Sequence, residues 1–594
     1  MSLPEGEGSP SFRGDAGSIA VCFTDFTFQY RAQSLPTLYG INLAVRRGEK
    51  ILIAGPSGCG KSTLAHCING LIPYAYKGAV QGSLTIMGKD ALKQDLFARS
   101  GTIGTVLQDT DGQFVGLTAA EDIAFAAEND CVAVAEMHRG AGEAAKLVHI
   151  EDHLNKSPQV LSGGQKQRVS LAGLLMNEVE ILLFDEPLAN LDPATGQEAI
   201  ELIDRLHRDT GKTVIMVEHR LEDALHRPVD RIVVMEEGRI IADLPPAELL
   251  AKDILRKTGI REPLYLSALR YSGAVITAET RPESPETVSF DPLLLSDWER
   301  SLPEEAPEPV RTELLSVKSL SFRYPLTGAG GLNAPPALRD ISFAIGSGDC
   351  VALAGKNGAG KSTLAKLICG FVRPDAGELR FKGKDLSLFS IRERAEHIGY
   401  VMQNPNQMIS FPLIFDEAAF ALRNRGMGEN EIRDRVLESL RICGLYPFRS
   451  WPVSALSYGQ KKRLTIASIL VIRPELIILD EPTAGQDFRH YTEIMEFLGK
   501  LNREQGITLL IITHDMHLML EYARRTLVVT EGKLLADAPP AEVLTEKALI
   551  EKANLKRTSL YDLALRAHFK NPRAFVGRFI SFERSEREAG RSES

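Results

Sequence analysis

Two nine-residue stretches hold the residue types that bind phosphate. The first, GPSGCGKST, comprises Gly55, Pro56, Ser57, Gly58, Cys59, Gly60, Lys61, Ser62 and Thr63. The second, GKNGAGKST, comprises Gly355, Lys356, Asn357, Gly358, Ala359, Gly360, Lys361, Ser362 and Thr363. A glycine-rich turn between a strand and a helix points successive backbone N–H groups inward and cradles phosphate oxygens. Lys61 and Lys361 add point charge, and the hydroxyls of Ser62 and Ser362 suit Mg²⁺. Both stretches follow apolar runs of strand length, so a nucleotide is expected at each.

Further along each half an apolar run ends in two carboxylates, ILLFDEP and LIILDEP. Asp185 and Asp480 are expected to hold Mg²⁺, and Glu186 and Glu481 to polarise the attacking water as general bases. His219 and His514 follow another apolar run and are candidates to hold that water and a γ-phosphate oxygen. Gln108 and Gln403 are candidates for Mg²⁺ and water contacts. Tyr30 and Tyr324, upstream of the loops, are candidates to stack on adenine, with core packing as the rival reading.

These residues fall into two copies of one plan. Lys61 and Lys361 lie 300 positions apart, while Gln108/Gln403, Glu186/Glu481 and His219/His514 all keep an offset of 295. Each half alternates short β-branched runs with helix-length segments, which predicts an α/β fold with a mainly parallel sheet. The expected organisation is a disordered tail over 1–17, a first domain over 18–265, a Pro/Glu-rich linker over 266–312, a second domain over 313–565 and a flexible C-terminal tail over 566–594. Low apolar content keeps such a linker extended and solvated, although its LLL run and Trp298 leave docking open.

The bulk numbers constrain the class. The 594 residues are too many for one core. A net charge of -9 gives no electrostatic reason to expect nucleic acid. The seven cysteines show no CxxC spacing, which fits a reduced, cytosolic setting. No apolar run reaches the roughly 20 residues that a membrane helix needs.

The halves also share QVLSGGQKQR and VSALSYGQKKR, with Tyr458 where the first copy has Gly163. Together with the phosphate loops, the loop Gln, DEP and the late His, these resemble the ATP-binding-cassette ATPases over most of both halves. The resemblance implies two P-loop domains, each a mainly parallel sheet core with a helical subdomain and an antiparallel β subdomain. It implies ATP and Mg²⁺ as ligands and a head-to-tail pairing of cassettes, within one chain or between two. Ser162, Gly164 and Gln165 would then face the ATP on Lys361, and Ser457, Gly459 and Gln460 the ATP on Lys61. Asp192 and Asp487 match the family's loop linking the two sites, although Gln486-Asp487-Phe488 departs from the commoner Leu-Asp-Pro.

The stretch after Gln108, with SYGQKKR and EPTAG of the second half, is similar to the energy-coupling-factor group of importers, and VEHRLED around His219 is similar to fused members associated with thiamine or its pyrimidine precursor. That implies a peripheral position on the cytoplasmic membrane face, an integral membrane scaffold subunit and a separate membrane subunit capturing a vitamin, a vitamin precursor or a transition-metal ion. The alternative is a soluble two-cassette translation factor, which a Pro/Glu-rich linker disfavours because it cannot form one continuous helix. Tyr458 is expected to sit on helical backbone, leaving two hydrolytic sites of unequal strength. Cys59, inside the first loop, has two readings: a thiol whose modification blocks that site alone, or a small residue that fits the loop and never reacts.

Overall fold

The computed structural model describes residues 18–107, 111–176, 179–189, 191–303, 311–325, 336–483 and 486–592. The expected tail 1–17 and the candidate Gln108 lie outside the described residues. The chain forms two compact units. One holds the described residues of Met1–Ala189, Gly196–Glu262 and Ile276–Val288; the other holds those of Asn190–Thr195, Pro263–Val275 and Ser289–Ser594.

In the first unit a four-stranded antiparallel sheet runs in the order Leu38–Arg46, Ile19–Tyr30, Gly78–Ile86, Lys89–Asp90. A six-stranded sheet runs Arg239–Leu244, Arg231–Glu236, Lys50–Ala54, Thr213–Val217, Ile181–Asp185, Ile103–Val106. All of its neighbours are parallel except the outer pair, Arg239–Leu244 with Arg231–Glu236. Every residue of Lys50–Ala54, Ile181–Asp185 and Thr213–Val217 is buried. This is why those strands read as unbroken apolar runs rather than as alternation. Helices Ala119–Asn129, Val134–Leu147 and Gly163–Met176 pack on one another as a helical subdomain.

The second unit repeats this plan. Its antiparallel sheet runs Leu338–Gly346, Glu313–Phe322, Ala376–Phe381, Lys384–Asp385. Its six-stranded sheet runs Ile398–Val401, Leu476–Asp480, Thr508–Ile512, Cys350–Ala354, Arg525–Thr530, Lys533–Ala538. One apolar core joins the antiparallel sheet to one face of the larger sheet, through Leu320, Phe343, Val351 and Leu527. Another lies under the helices Ile414–Arg423, Glu429–Ile442 and Tyr458–Leu470. The α/β class, the mainly parallel sheets and both kinds of subdomain are therefore as expected.

The two stretches expected to be extended or flexible carry helices. Pro292–Ser301 is helical, and its Trp298 stacks on Tyr271 at 6.3 Å and meets Phe582 edge-on at 5.5 Å. Arg578 donates to the Glu299 carboxylate and to the carbonyls of Glu299 and Leu302. Pro572–Ser592 is helical, with Phe575, Val576, Phe579 and Ile580 buried. The i, i+4 spacing of Phe575 and Phe579 gives the helix one apolar face within a strongly charged sequence. Composition averages that face away, which explains both differences. Among the described residues no helix is long and apolar enough to cross a membrane.

Candidate nucleotide sites

Each phosphate loop sits at the carboxyl end of a central parallel strand, where ligands of open α/β sheets bind. In the first unit the strand Lys50–Ala54 feeds the loop, and the helix Lys61–Asn69 leaves it. Gly60, which caps this helix, has φ 104°, and a Cβ there would meet Leu38 Cδ2 at 2.9 Å. Gly360 repeats this at φ 105°, where a Cβ would come within 2.7 Å of the Ala337 carbonyl oxygen. Only glycine tolerates both the conformation and the close approach. Lys61 Nζ donates to the carbonyls of Gly55 (2.7 Å) and Pro56 (2.9 Å), and Lys361 Nζ to those of Gly355 (2.7 Å) and Lys356 (3.0 Å). Burial pulls the Lys361 ammonium below the ordinary lysine range.

The carboxylates arrive from the next strand but one, Ile181–Asp185 or Leu476–Asp480, across Thr213–Val217 or Thr508–Ile512. Ser62 Oγ lies 3.4 Å from Asp185 Oδ1. This hydroxyl and carboxylate are hard oxygen donors of the kind Mg²⁺ takes, and phosphate oxygens beside the loop would supply more. Burial, reinforced by Glu186, pushes the Asp185 carboxyl up to about 6. In the second unit Asp480 is likewise raised by burial, and it accepts from Tyr400 Oη at 2.8 Å.

Glu186 and Glu481 hold φ of 51° and 46°, a region that non-glycine residues rarely adopt and that costs about 1–3 kcal/mol. Their N–H groups bond to the carbonyls of Val217 and Ile512, each at 2.9 Å. The turn aims both side chains at the late histidines. His514 Nδ1 is 2.9 Å from Glu481 Oε1, and Gln403 Nε2 donates to Glu481 Oε2 at 3.0 Å. His219 Nδ1 is 3.7 Å from Glu186 Oε1 and 3.3 Å from Glu218 Oε1. Burial opposes the charge on Glu186 and His219 alike. Their attraction outweighs it, lowering the Glu186 carboxyl and, with help from Glu218, raising the His219 imidazole. A carboxylate held ionised next to a histidine is equipped to take a proton from water.

The structure thus gathers the first loop, Asp185, Glu186 and His219 in one unit, and the second loop, Gln403, Asp480, Glu481 and His514 in the other. The tyrosines also meet their own loops. Tyr30 Oη lies 3.1 Å from Thr63 Oγ1, and Tyr324 Oη lies 3.2 Å from Thr363 Oγ1. Ser162 and Ser457 open their helices as reciprocal capping pairs with Gln165 and Gln460. Tyr458 begins its helix on helical backbone. Asp192 and Asp487 each accept from the backbone three residues on, Thr195 at 3.0 Å and His490 at 2.8 Å. Cys59 is 4% exposed. Of the two readings of Cys59, its burial supports the small side chain that fits the loop.

Three residues of the site escaped the sequence reading. Glu218 is fully buried and accepts from the N–H groups of Leu188, His219 and Arg220. Its signal was the contrast of VEH with ITH, which puts Thr513 at the matching position. Tyr400 supports Asp480 through its hydroxyl. Lys462, 1% exposed, donates to the carbonyls of Glu481 (2.9 Å) and Pro482 (2.6 Å), and burial brings its ammonium down to about 8. The first unit has Gln167 there, donating to Pro187 at 2.7 Å.

Residues 38–189 and 338–484 match the family described as ABC transporter. Residues 252–322 match the family described as ATP-binding cassette cobalt transporter. A Clostridium perfringens (strain 13 / Type A) relative, assigned by name as an ABC transporter ATP-binding protein, is 54% identical over 95% of this chain and 98% of its own. A relative with the same assignment in Enterococcus faecalis (strain ATCC 700802 / V583) is 54% identical over 96% and 99% of the two chains. A solved structure, cbiO1 from Clostridium perfringens, described as part of the ABC transporter complex cbiONQ, is 35% identical. It covers 43% of this chain and 98% of its own, with a TM-score of 0.37.

Proposed function

The chain belongs to the ABC transporter family of ATP-binding proteins, and from that premise we propose that it powers an energy-coupling-factor importer from two hydrolytic sites. It is an ATPase coupled to transport, with two repeated ATP-binding cassettes. The observation that carries the importer reading is the match of residues 252–322 to the ATP-binding cassette cobalt transporter family. A soluble translation factor receives no support from relatives assigned to transport.

In this reading Lys61 and Lys361, with the N–H groups of their loops, hold the phosphates. Ser62 with Asp185, and Ser362 with Asp480, would hold Mg²⁺, which neutralises phosphate charge. Glu186 and Glu481 take the proton of the attacking water, while His219 and His514 orient those carboxylates and hold the water in line. Gln403 positions Glu481 through its amide. A head-to-tail pairing of cassettes, within one chain or between two, would let Ser162, Gly164 and Gln165 complete the site on Lys361, and Ser457, Gly459 and Gln460 the site on Lys61. A helix start offers free N–H groups and the positive end of its dipole to phosphate.

ATP-driven closure would bias a two-state membrane scaffold, and a separate membrane subunit would present a vitamin, a vitamin precursor or a transition-metal ion. Purification of the tagged chain from solubilised membranes tests this. Co-purification of two integral membrane proteins, whose joint reconstitution gives ATP-dependent uptake of one such cargo, is the expected result. Recovery with ribosomes instead would overturn it.

A further inference from the structure

Two differences between the repeated signature helices fall on one face. Gly163 and Gln167 of the first unit correspond to Tyr458 and Lys462 of the second. The pair is four residues apart, so the side chains are neighbours on the helix. In the second unit they meet: Lys462 Nζ lies over the Tyr458 ring, 5.8 Å from its centroid. Tyr458 Oη donates to the carbonyl of Gln403 at 3.3 Å. Lys461, between them, donates to Asn406 Oδ1 of the same loop at 3.2 Å. Lys462 Nζ holds the carbonyls of Glu481 and Pro482, and the Gln403 amide donates to the Glu481 carboxylate.

We propose that Tyr458 and Lys462 form a brace that ties the start of the signature helix to the Gln403 loop and to the turn carrying Glu481. Gln403 is held at both ends, its carbonyl by the tyrosine and its amide on the general base. Glu481 is fixed twice, its carboxylate by Gln403 and His514 and its carbonyl by Lys462. A movement of Ser457, at the head of this helix, therefore reaches the base of the same cassette. Gly163 has no side chain with which to make the first tie, and Gln167 bonds Pro187 through a neutral amide. The brace is a property of the second cassette, and Tyr458 and Lys462 are positioning residues. A buried ammonium is tolerable here because two carbonyl dipoles, an aromatic face and the nearby charges of Glu481 and Asp480 surround it.

The inference rests on the reading of Glu481 as general base, and two measurements test it on the full chain. Hydrogen exchange of the nucleotide-free protein reads the ties directly. Tyr458→Phe, which removes only an oxygen, is expected to raise exchange about three-fold or more in residues 402–408. Lys462→Met is expected to raise it there and in residues 481–483. Unchanged exchange in both segments would overturn the brace.

The second measurement is steady-state ATPase in the Glu186→Gln chain, or in the otherwise wild-type chain if that background is silent. Tyr458→Phe is expected to lower kcat about two- to three-fold and Lys462→Met roughly ten-fold, with KM moved less than about two-fold. Lys462→Gln, the first cassette's residue, is expected to restore part of the loss. The double variant Tyr458→Phe/Lys462→Met is expected to be no slower than Lys462→Met alone, because both act through one connection. Multiplying effects, or a loss carried by KM, would overturn the brace. Turnover retained in Glu186→Gln/Glu481→Gln would sink the base reading and the brace with it. Its loss there, with inert Tyr458 and Lys462 variants, would sink the brace alone.

Discussion

Glu481 Oε1 stands 2.9 Å from His514 Nδ1, whereas Glu186 Oε1 stands 3.7 Å from His219 Nδ1. The difference follows from the residue before each histidine. Glu218 draws His219 to 3.3 Å from its own carboxylate, while Thr513 uses its hydroxyl to accept from the backbone N–H of Asp515. Two sites built on one plan therefore hold these carboxylates differently.

Glu218 is also a structural acceptor. Glu218→Ala would leave one buried N–H group, that of Leu188, and two half-buried ones without their carboxylate, at a cost of about 2–4 kcal/mol. Thr513→Ala, which removes one hydroxyl acceptor, should cost about 1 kcal/mol or less. Chemical denaturation of the two variants checks the contrast, and equal losses would contradict it.

Asp185 makes stability depend on pH. Its folded value of about 6 lies above the ordinary 3.8, so between those values the folded chain keeps a proton that the unfolded chain has released. The Asp185 contribution to stability is then greatest below 3.8 and declines as pH rises through about 6. Asp185→Asn removes that decline. In nucleotide-free and Mg²⁺-free buffer it should raise the unfolding free energy at pH 7.5 by up to ~3 kcal/mol, and by roughly half as much at pH 5. A loss of stability at both pH values would refute the assignment.

The docked segment around Trp298 has a separate test. Trp298→Ala removes the ring that packs on Tyr271 and Phe582, and Arg578→Ala removes the donor to Glu299 and Leu302. Either variant should raise hydrogen exchange at least ten-fold across residues 292–302, with the Lys61–Asn69 helix unchanged. Protection equal to wild type would show that the helix Pro292–Ser301 is held by other contacts.

Cysteine reactivity separates exposure from motif. Cys131 is exposed, whereas Cys59 is buried. A bulky thiol reagent should label Cys131 first, with ATPase activity retained at one label per chain. Preferential labelling of Cys59 would contradict the packing beneath the first loop.

The phosphate loops, DEP turns and late histidines were legible in the sequence because loop chemistry admits few residue types and the duplication repeats them in register. The parallel sheets were legible because strands buried on both faces leave unbroken apolar runs such as ILLFD. What escaped depends on three-dimensional neighbours. Lys462 reads as one more basic residue in QKKR until its ammonium is found on two carbonyls. Docking through Trp298 is left open by the sequence, and its partners Tyr271 and Phe579 are identified only once their helices pack. The two readings of Cys59 differ only in exposure, which the sequence does not carry and the buried thiol decides.

The central claim is that one chain carries two complete hydrolytic sites. Glu186→Gln/Glu481→Gln keeps both phosphate loops and removes both bases, so it should trap ATP without turning it over. Equilibrium measurement of radiolabelled ATP retained by this variant with Mg²⁺ is predicted to give two nucleotides per chain, with phosphate release reduced at least about a hundred-fold. One retained nucleotide per chain, or undiminished phosphate release, would contradict the account.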